Sequence, residues 1–198
     1  MAIQGDVQEN ILSTKKALDD LGIDGTVTDV KTADDVKKLD GLIMPGGEST
    51  TIGQLSLVNS SLRVVKEKIE GGMPVFGICA GMILLAKTAS DRVVGKTNQP
   101  LLDLLEIKIE RNSFGRQRES FEAEVTMDSI NIPQFRGVFI RAPSISEVSS
   151  DVEVLAKFNE KIVAIKKGNI IGTSFHPELT SDVSLHKYFV NLVKNSKN

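Results

Sequence analysis

The chain has very little of several residue types that mark large classes of protein. Of its 198 residues, one is cysteine and none is tryptophan. A single cysteine cannot form an internal disulfide bond, so the disulfide-bonded folds of small secreted proteins are excluded. A cytoplasmic location is expected. No apolar run reaches the roughly 20 residues that cross a bilayer. No signal peptide and no membrane association are expected.

Charge of one sign is also lacking. The sequence has 24 Lys and Arg against 26 Asp and Glu, a formal net charge of −2. Neither a nucleic acid nor an acidic membrane surface is therefore an expected partner. No cofactor motif and no metal-ligand spacing is present, so neither a cofactor nor a metal is expected. Hydrophobic residues make up 40% of the chain, enough for one buried core, and predict a single domain over residues 1–198.

Strands and helices alternate in the first half of the chain. This pattern predicts an α/β fold with a mostly parallel central sheet flanked by helices. The helices are predicted over residues 7–21, 55–69, 82–86 and 182–193, and the strands over 26–30, 39–44 and 73–76. In the second half, short apolar runs without long helices between them predict additional antiparallel strands. These cover residues 104–109, 121–127, 137–140, 152–158, 162–166 and 169–174.

The only cysteine lies in Gly77-Ile78-Cys79-Ala80-Gly81, between a predicted buried strand and an apolar helix. A G-x-C-x-G turn strains its central residue and brings strand and helix close together, which glycine permits and a Cβ would obstruct. The thiol then lies at a helix N-terminus, where the peptide dipoles favour the thiolate. A lone cysteine in an apolar stretch can also be an ordinary core residue. The turn favours Cys79 as a nucleophile.

A cysteine nucleophile needs a base, and the chain has two histidines. His176 follows a β-type run and opens His176-Pro177-Glu178, a loop position typical of reacting groups. His186 lies in the helical pattern of residues 182–193, which favours a solvated or core-edge histidine. Because Pro177 stiffens the link, Glu178 can orient the imidazole and stabilise the imidazolium. Cys79, His176 and Glu178 are therefore predicted to form a catalytic triad.

A glycine pair follows the predicted strand over residues 39–44, in Met44-Pro45-Gly46-Gly47-Glu48-Ser49-Thr50. If this loop faces Cys79, the backbone amides of Gly47 and Ala80 would form an oxyanion hole for acyl transfer. The alternatives are a phosphate-binding loop or a turn before a helix capped by Ser49. The Walker pattern is absent.

Three motifs, Pro45-Gly46-Gly47-Glu48-Ser49-Thr50, Gly77-Ile78-Cys79-Ala80-Gly81 and Phe175-His176-Pro177-Glu178, resemble those of the triad-type (class I) glutamine amidotransferases. Within that group the chain is similar to the PdxT family, the glutaminase subunits of pyridoxal 5′-phosphate synthase. The segments that carry this narrower resemblance are Glu110-Arg111-Asn112-Ser113-Phe114-Gly115-Arg116-Gln117, Ser120-Phe121-Glu122, Val138-Phe139-Ile140-Arg141-Ala142-Pro143 and Ser174-Phe175-His176-Pro177-Glu178-Leu179-Thr180. The resemblance covers essentially the whole chain and implies a flavodoxin-like fold.

The resemblance implies that the chain hydrolyses L-glutamine to L-glutamate and ammonia through a thioester on Cys79. It also implies that the ammonia passes to a (β/α)₈ synthase subunit that builds pyridoxal 5′-phosphate (vitamin B6). The implied glutamine-binding residues are Gly47, Glu48, Ser49, Arg111, Ile140 and Arg141. An arginine fork suits a carboxylate and an acid suits an ammonium, but the sequence leaves open which charged residue meets which end of glutamine.

The chain departs from the family pattern at its start. Met1 stands immediately before Ala2-Ile3-Gln4-Gly5, so the first strand is expected to be clipped, and Glu9-Asn10 stand where the family commonly has a histidine. Other interpretations also stay open. The two arginines could be solvated charges at strand ends. A cysteine amidase or peptidase would not explain the arginine motifs, and a silent binding subunit is disfavoured by the presence of all three triad residue types.

Overall fold

The computed structural model describes residues 7–47, 61–91, 95–96, 100–114 and 120–197. The expected clipped first strand and residues 55–60 of the second predicted helix lie outside these ranges. The described α-helices are α1 (Val7–Leu21), α2 (Ala33–Lys37), α3 (Ser61–Glu70), α4 (Ala80–Leu85) and α5 (Ser184–Asn195). Short 3₁₀ helices cover Asp128–Ile130 and Pro177–Leu179.

Strands account for most of the remaining chain. The described strands are β1 (Leu42–Met44), β2 (Val75–Ile78), β3 (Ala86–Asp91), β4 (Gly95–Lys96), β5 (Leu105–Arg111), β6 (Ser120–Met127), β7 (Ile132–Ile140), β8 (Ser144–Val148), β9 (Glu153–Phe158), β10 (Lys161–Lys167) and β11 (Ile170–Thr173). The main sheet has the order β1-β2-β11-β10-β8-β5-β3-β4, with β9 on β10, and β6 and β7 form a separate hairpin.

The sheet combines parallel and antiparallel pairings. β1, β2 and β11 run parallel to one another, as do β3 and β5. β10 is antiparallel to its neighbours β8, β9 and β11, and β5 is antiparallel to β8. The predicted α/β fold, a central sheet with parallel strands flanked by helices and additional antiparallel strands, is confirmed.

The neighbouring parallel strands β2 and β11 are the most deeply buried part of the sheet. All four residues of β2 and all four of β11 are buried, as expected for strands covered on both faces. One face packs on aliphatic side chains from α3 and α4, including Val65, Leu84 and Leu85. The other face packs on an aromatic cluster that includes Phe135 and Phe175. The carboxyl ends of β2 and β11 are thereby held in fixed positions.

The two long helices near the chain ends pack on each other. α1 ends at Gly22, whose φ of 61° is the left-handed conformation expected of a glycine stop signal. Ala17 of α1 lies in a small apolar cluster with Val183 and Val190 near α5. Lys16 of α1 also donates to the Ser181 carbonyl at 3.1 Å. In the described part of the chain, no helix has both the length and the apolar character needed to cross a membrane.

The strand predicted over residues 26–30 is wrong, because this segment forms neither strand nor helix. A β-branched run becomes a strand only when its backbone groups pair with a neighbouring strand, and β1 pairs with β2 alone among the described strands. A cavity of about 700 Å³ lies between this segment, β1, α1 and α5. The structure also adds α2, β3, β4 and β8, which were not predicted.

Candidate active site

Cys79 occupies a strained turn between β2 and α4. Its φ of 50° and ψ of −102° lie outside the regions favoured by residues that carry a Cβ. Two backbone hydrogen bonds hold it there: Cys79 N donates to the Thr173 carbonyl at 2.7 Å, and Ile83 N donates to the Cys79 carbonyl at 3.1 Å. The predicted order of strand, tight turn and helix is confirmed.

Glycines on both sides of Cys79 allow this turn to form. A Cβ at Gly77 would lie 2.6 Å from Leu85 Cδ1 and 2.8 Å from the Met82 backbone nitrogen. A Cβ at Gly81 would collide with the carbonyl group of Met44 in β1. Because backbone atoms cannot move aside as a flexible side chain can, these positions exclude any larger residue. The packing around the turn therefore requires the glycines of the motif.

His176 and Glu178 form a buried hydrogen-bonded pair just beyond β11. His176 N donates to the Val138 carbonyl at 2.8 Å, and the 3₁₀ helix Pro177–Leu179 places Glu178 beside the ring. His176 Nδ1 lies 2.9 Å from Glu178 Oε1, and the two residues are only 4% and 5% exposed. A carboxylate can only accept, so Nδ1 donates the proton of this bond.

The same imidazole also hydrogen-bonds to the Cys79 side chain. Burial alone would lower the pKa of His176, but hydrogen bonds and charges from Cys79 and Glu178 outweigh it and raise the pKa from 6.5 to about 10. The raised pKa favours the protonated form of the ring. The structure thus brings Cys79, His176 and Glu178 together as the sequence predicted, in the order thiol, imidazole, carboxylate.

The glycine-rich loop after β1 lies against the His176 ring. A Cβ at Gly46 would lie 3.1 Å from Nδ1 and 3.2 Å from Nε2, and closer still to Cε1. Gly46 is buried, whereas Gly47 is exposed and has a φ of 136° that favours glycine. Glu48 and Ser49 lie outside the described residues. The contact between Gly46 and His176 was not predicted. In the sequence, the glycine pair is the only local feature that could have indicated it.

The other predicted substrate residues lie on two neighbouring turns. Arg111 ends β5 and is half-buried, Ile140 ends β7 and is half-buried, and the exposed Arg141 follows with a φ of 41°. Ser113 N donates to the Ala142 carbonyl at 3.1 Å, which joins the two turns. β7 is also the strand whose Val138 carbonyl accepts from His176. β7 therefore links the arginine-bearing turns to the histidine.

His186 does not lie in solvent or at a core edge. It is fully buried in α5, with Nε2 3.3 Å from Asn10 Oδ1 and its ring 6.1 Å from that of Phe76. Burial lowers the pKa of His186 to about 4, so the ring is neutral at physiological pH. In the described ranges, no group of three or more His, Cys, Asp and Glu residues could hold a metal ion.

Comparisons with known proteins agree with this geometry. A relative from Nitrosopumilus maritimus, named pyridoxal 5′-phosphate synthase subunit PdxT, is 69% identical over 197 residues, covering 100% of this chain and 96% of its own length. A protein of the same name from Archaeoglobus fulgidus is 48% identical over 196 residues, covering 99% of this chain and 98% of its own.

A solved structure described as a glutamine amidotransferase superimposes closely on this chain. Its TM-score is 0.85 at 42% sequence identity, and the match covers 98% of this chain and 97% of that one. The model of the SNO glutamine amidotransferase family matches residues 1–195. Sequence and fold agree over nearly the whole length, so the chain belongs to the SNO glutamine amidotransferase family.

Proposed function

We propose that this chain is the glutaminase subunit of a pyridoxal 5′-phosphate synthase and works as a single domain. It hydrolyses L-glutamine to L-glutamate and ammonia. The observation that carries the proposal is the strained Cys79 turn against the His176 ring, which Glu178 holds at 2.9 Å. The relatives named as this subunit support the reaction and its pathway.

Acylation starts with the thiolate of Cys79 attacking the side-chain amide carbon of glutamine. The carbonyl oxygen takes up the negative charge, and the backbone amides of Gly47 and Ala80 stabilise it. His176 donates its proton to the amide nitrogen as the carbon–nitrogen bond breaks. Ammonia leaves, and the γ-glutamyl group remains on Cys79 as a thioester. The raised pKa of His176 favours the protonated ring, which supplies the acid for this step.

Deacylation uses the same groups in the opposite sense. His176, now neutral, takes a proton from water while the water oxygen attacks the thioester carbon. The carbon–sulfur bond breaks, glutamate leaves, and the thiolate faces an imidazolium again. Glu178 keeps the ring oriented in both steps and stabilises its positive charge without transferring a proton. Neither step consumes a cofactor or a metal ion.

Substrate recognition is assigned to Gly47, Glu48, Ser49, Arg111, Ile140 and Arg141. Glutamine carries a carboxylate and an ammonium, and these residues include both arginine forks and an acid. The arginines lie on the two turns joined by the hydrogen bond from Ser113 N to the Ala142 carbonyl. That joint supports a binding site in which both turns hold one small molecule.

The proposed partner is the (β/α)₈ synthase subunit, which takes up the ammonia. The near-neutral net charge supports a protein partner rather than a nucleic acid or an anionic membrane. The single cysteine supports a working location in the reducing cytoplasm. Cys79 must stay reduced there to act as a nucleophile.

Ammonia release from L-glutamine by the chain mixed with its synthase subunit tests the function. We expect turnover of glutamine and no cleavage of peptide substrates. A glutamine-analogue electrophile should add one label, which peptide mapping should locate on Cys79. Label on any other residue, or peptide cleavage without ammonia release, would overturn the proposal.

A further inference from the structure

A hydrogen-bond chain that the mechanism above does not use runs through Lys161, Ser113 and Ser144. Lys161 Nζ donates to Ser113 Oγ at 2.6 Å, and Ser113 Oγ lies 2.6 Å from Ser144 Oγ. The two serines are only 2% and 3% exposed. Lys161 Nζ also lies 5.6 Å from the centre of the Phe114 ring, within reach of a cation–π interaction. We call these three residues the Lys–Ser–Ser chain.

The chemistry of the groups fixes the direction of the first bond. An ammonium has three donors and no acceptor, so Ser113 Oγ must accept from Lys161. The Ser113 hydrogen is then available for Ser144 Oγ. A buried hydroxyl without a partner is destabilising, so each member of the Lys–Ser–Ser chain depends on the next. Loss of the Lys161 ammonium removes the bond to Ser113 Oγ, which is charge-assisted and therefore the strongest hydrogen bond among these three residues.

The Lys–Ser–Ser chain joins three strands that are distant in sequence. Ser113 lies two residues beyond the end of β5, Ser144 is the first residue of β8, and Lys161 is the first residue of β10. β8 pairs with both β5 and β10. The Lys–Ser–Ser chain therefore ties the turn after β5 to the turn between β7 and β8.

These two turns carry the proposed glutamine-binding arginines. Arg111 stands two residues before Ser113, and Arg141 stands three residues before Ser144. Arg141 has a φ of 41°, a conformation that is strained for a non-glycine residue and persists only where neighbouring contacts impose it. The bond from Ser113 N to the Ala142 carbonyl is one such contact, and the Lys–Ser–Ser chain lies directly beside it.

We infer that Lys161, Ser113 and Ser144 are positioning residues for glutamine binding. They fix the spacing of the turns that carry Arg111 and Arg141, so that both arginines reach one substrate molecule. This inference rests on the proposed function. The Lys–Ser–Ser chain contributes nothing to bond breaking at Cys79. Its loss therefore weakens substrate binding and leaves the chemical step intact.

Steady-state kinetics of the complex with the synthase subunit test this inference. Lys161→Met should raise KM for glutamine about tenfold, because the turns that carry Arg111 and Arg141 lose their fixed spacing, and leave kcat within about twofold. Lys161→Arg, which keeps a charged donor, should restore most of the affinity. Lys157→Met is the matched control, because Lys157 is an exposed lysine on the adjacent strand β9, and it should match the parent.

A second readout separates positioning from general damage. Iodoacetamide reaches Cys79 without needing contacts to Arg111 and Arg141, so its rate should be the same in Lys161→Met and the parent. An unchanged KM, or a fall in kcat together with slower alkylation, would overturn the inference. If Lys161→Met does not fold, Ser113→Ala is measured in the same way and decides. A parent complex that releases no ammonia would instead overturn the proposed function, and this role with it.

Discussion

Two regions of the sheet hold their functional residues by different means. The parallel region (β1, β2 and β11) ends in the Cys79 turn, the Gly46 loop and the His176 turn, which are packed so tightly that a Cβ at Gly46 or Gly81 has no room. The antiparallel region (β5, β8 and β10) ends in turns that side-chain hydrogen bonds tie to one another and to the turn after β7 of the separate hairpin, with Ser113 at their centre.

The difference predicts two kinds of sensitivity. Groups held by backbone packing tolerate no added volume, because the surrounding main chain cannot move aside. Groups held by polar side chains tolerate small changes of volume, but they lose their position when a donor is removed. We therefore expect the reaction chemistry to depend on the shape of the parallel region, and substrate affinity to depend on the hydrogen bonds of the antiparallel region.

Removing the nucleophile should have the largest effect. Cys79→Ala deletes only a sulfur atom from a buried turn, so the fold should survive while glutaminase activity falls by about 10⁴-fold or more. Ammonia release by the complex measures the loss, and circular dichroism checks the fold. Retained turnover in Cys79→Ala would show that the nucleophile lies elsewhere, so the reaction chemistry would not depend on the parallel region.

Glu178→Gln should have a smaller effect than loss of Cys79 or His176. Glu178 orients the ring without transferring a proton, so kcat should fall by about a thousandfold and leave measurable turnover. The pKa of His176 should also fall below about 10, because the charge of the carboxylate is lost and the amide oxygen of Gln is a weaker acceptor. NMR titration of the ring protons measures this change. A variant as active as the parent would show that another group orients His176.

Gly46→Ala tests packing in the parallel region directly. The added methyl group would meet the His176 ring and displace it from Cys79 or Glu178, which should lower kcat by about a hundredfold and change the pKa of His176. Gly172→Ala is the matched control, because its methyl group would meet the flexible side chain of Met82 instead. Equal kcat losses in the two variants would indicate general destabilisation rather than displacement of the ring.

Docking of the synthase subunit should change the glycine-rich loop rather than the arginine-bearing turns. Glycine peptides flip at little steric cost, so the Gly47 amide can point away from the oxyanion until the partner selects the competent orientation. If that state is populated at about 1% in the free subunit, docking raises kcat by up to about a hundredfold. Glutamine turnover at saturation, with and without excess synthase subunit, measures the effect. Equal rates would show that the site is already assembled.

The two regions also differ in how far the sequence predicted them. The Cys79 turn and the His176-Pro177-Glu178 segment are local motifs, in which neighbouring residues carry the whole signal. The turns that hold them were predicted correctly, and their catalytic roles stay a prediction. The Lys–Ser–Ser chain was not predicted, because it joins three distant strands through residue types that are ordinary on surfaces. The packing of Gly46 on His176 was missed because these two residues are also distant in sequence.

Errors in the secondary structure have a related cause. Residues 26–30 have the β-branched pattern of a strand but no described pairing partner. β3 (Ala86–Asp91) is a strand despite its polar sequence, because it pairs with β5 on one side and β4 on the other. Strand formation depends on neighbours that a local pattern does not report, whereas helix α1 and its Gly22 stop depend on local signals and were predicted correctly.

Substitution of His186 should have the smallest effect on turnover and a separate effect on stability. This ring packs behind the parallel region on Phe76, with a pKa of about 4 when folded against 6.5 when unfolded. Between these values the unfolded chain binds the extra proton, so stability is fully present above pH 6.5 and is lost as the pH falls towards 4, by about 3 kcal/mol at most. His186→Phe should flatten this part of the pH profile in urea denaturation, with kcat at neutral pH close to that of the parent. An unchanged acid profile in the variant would assign the loss to other groups.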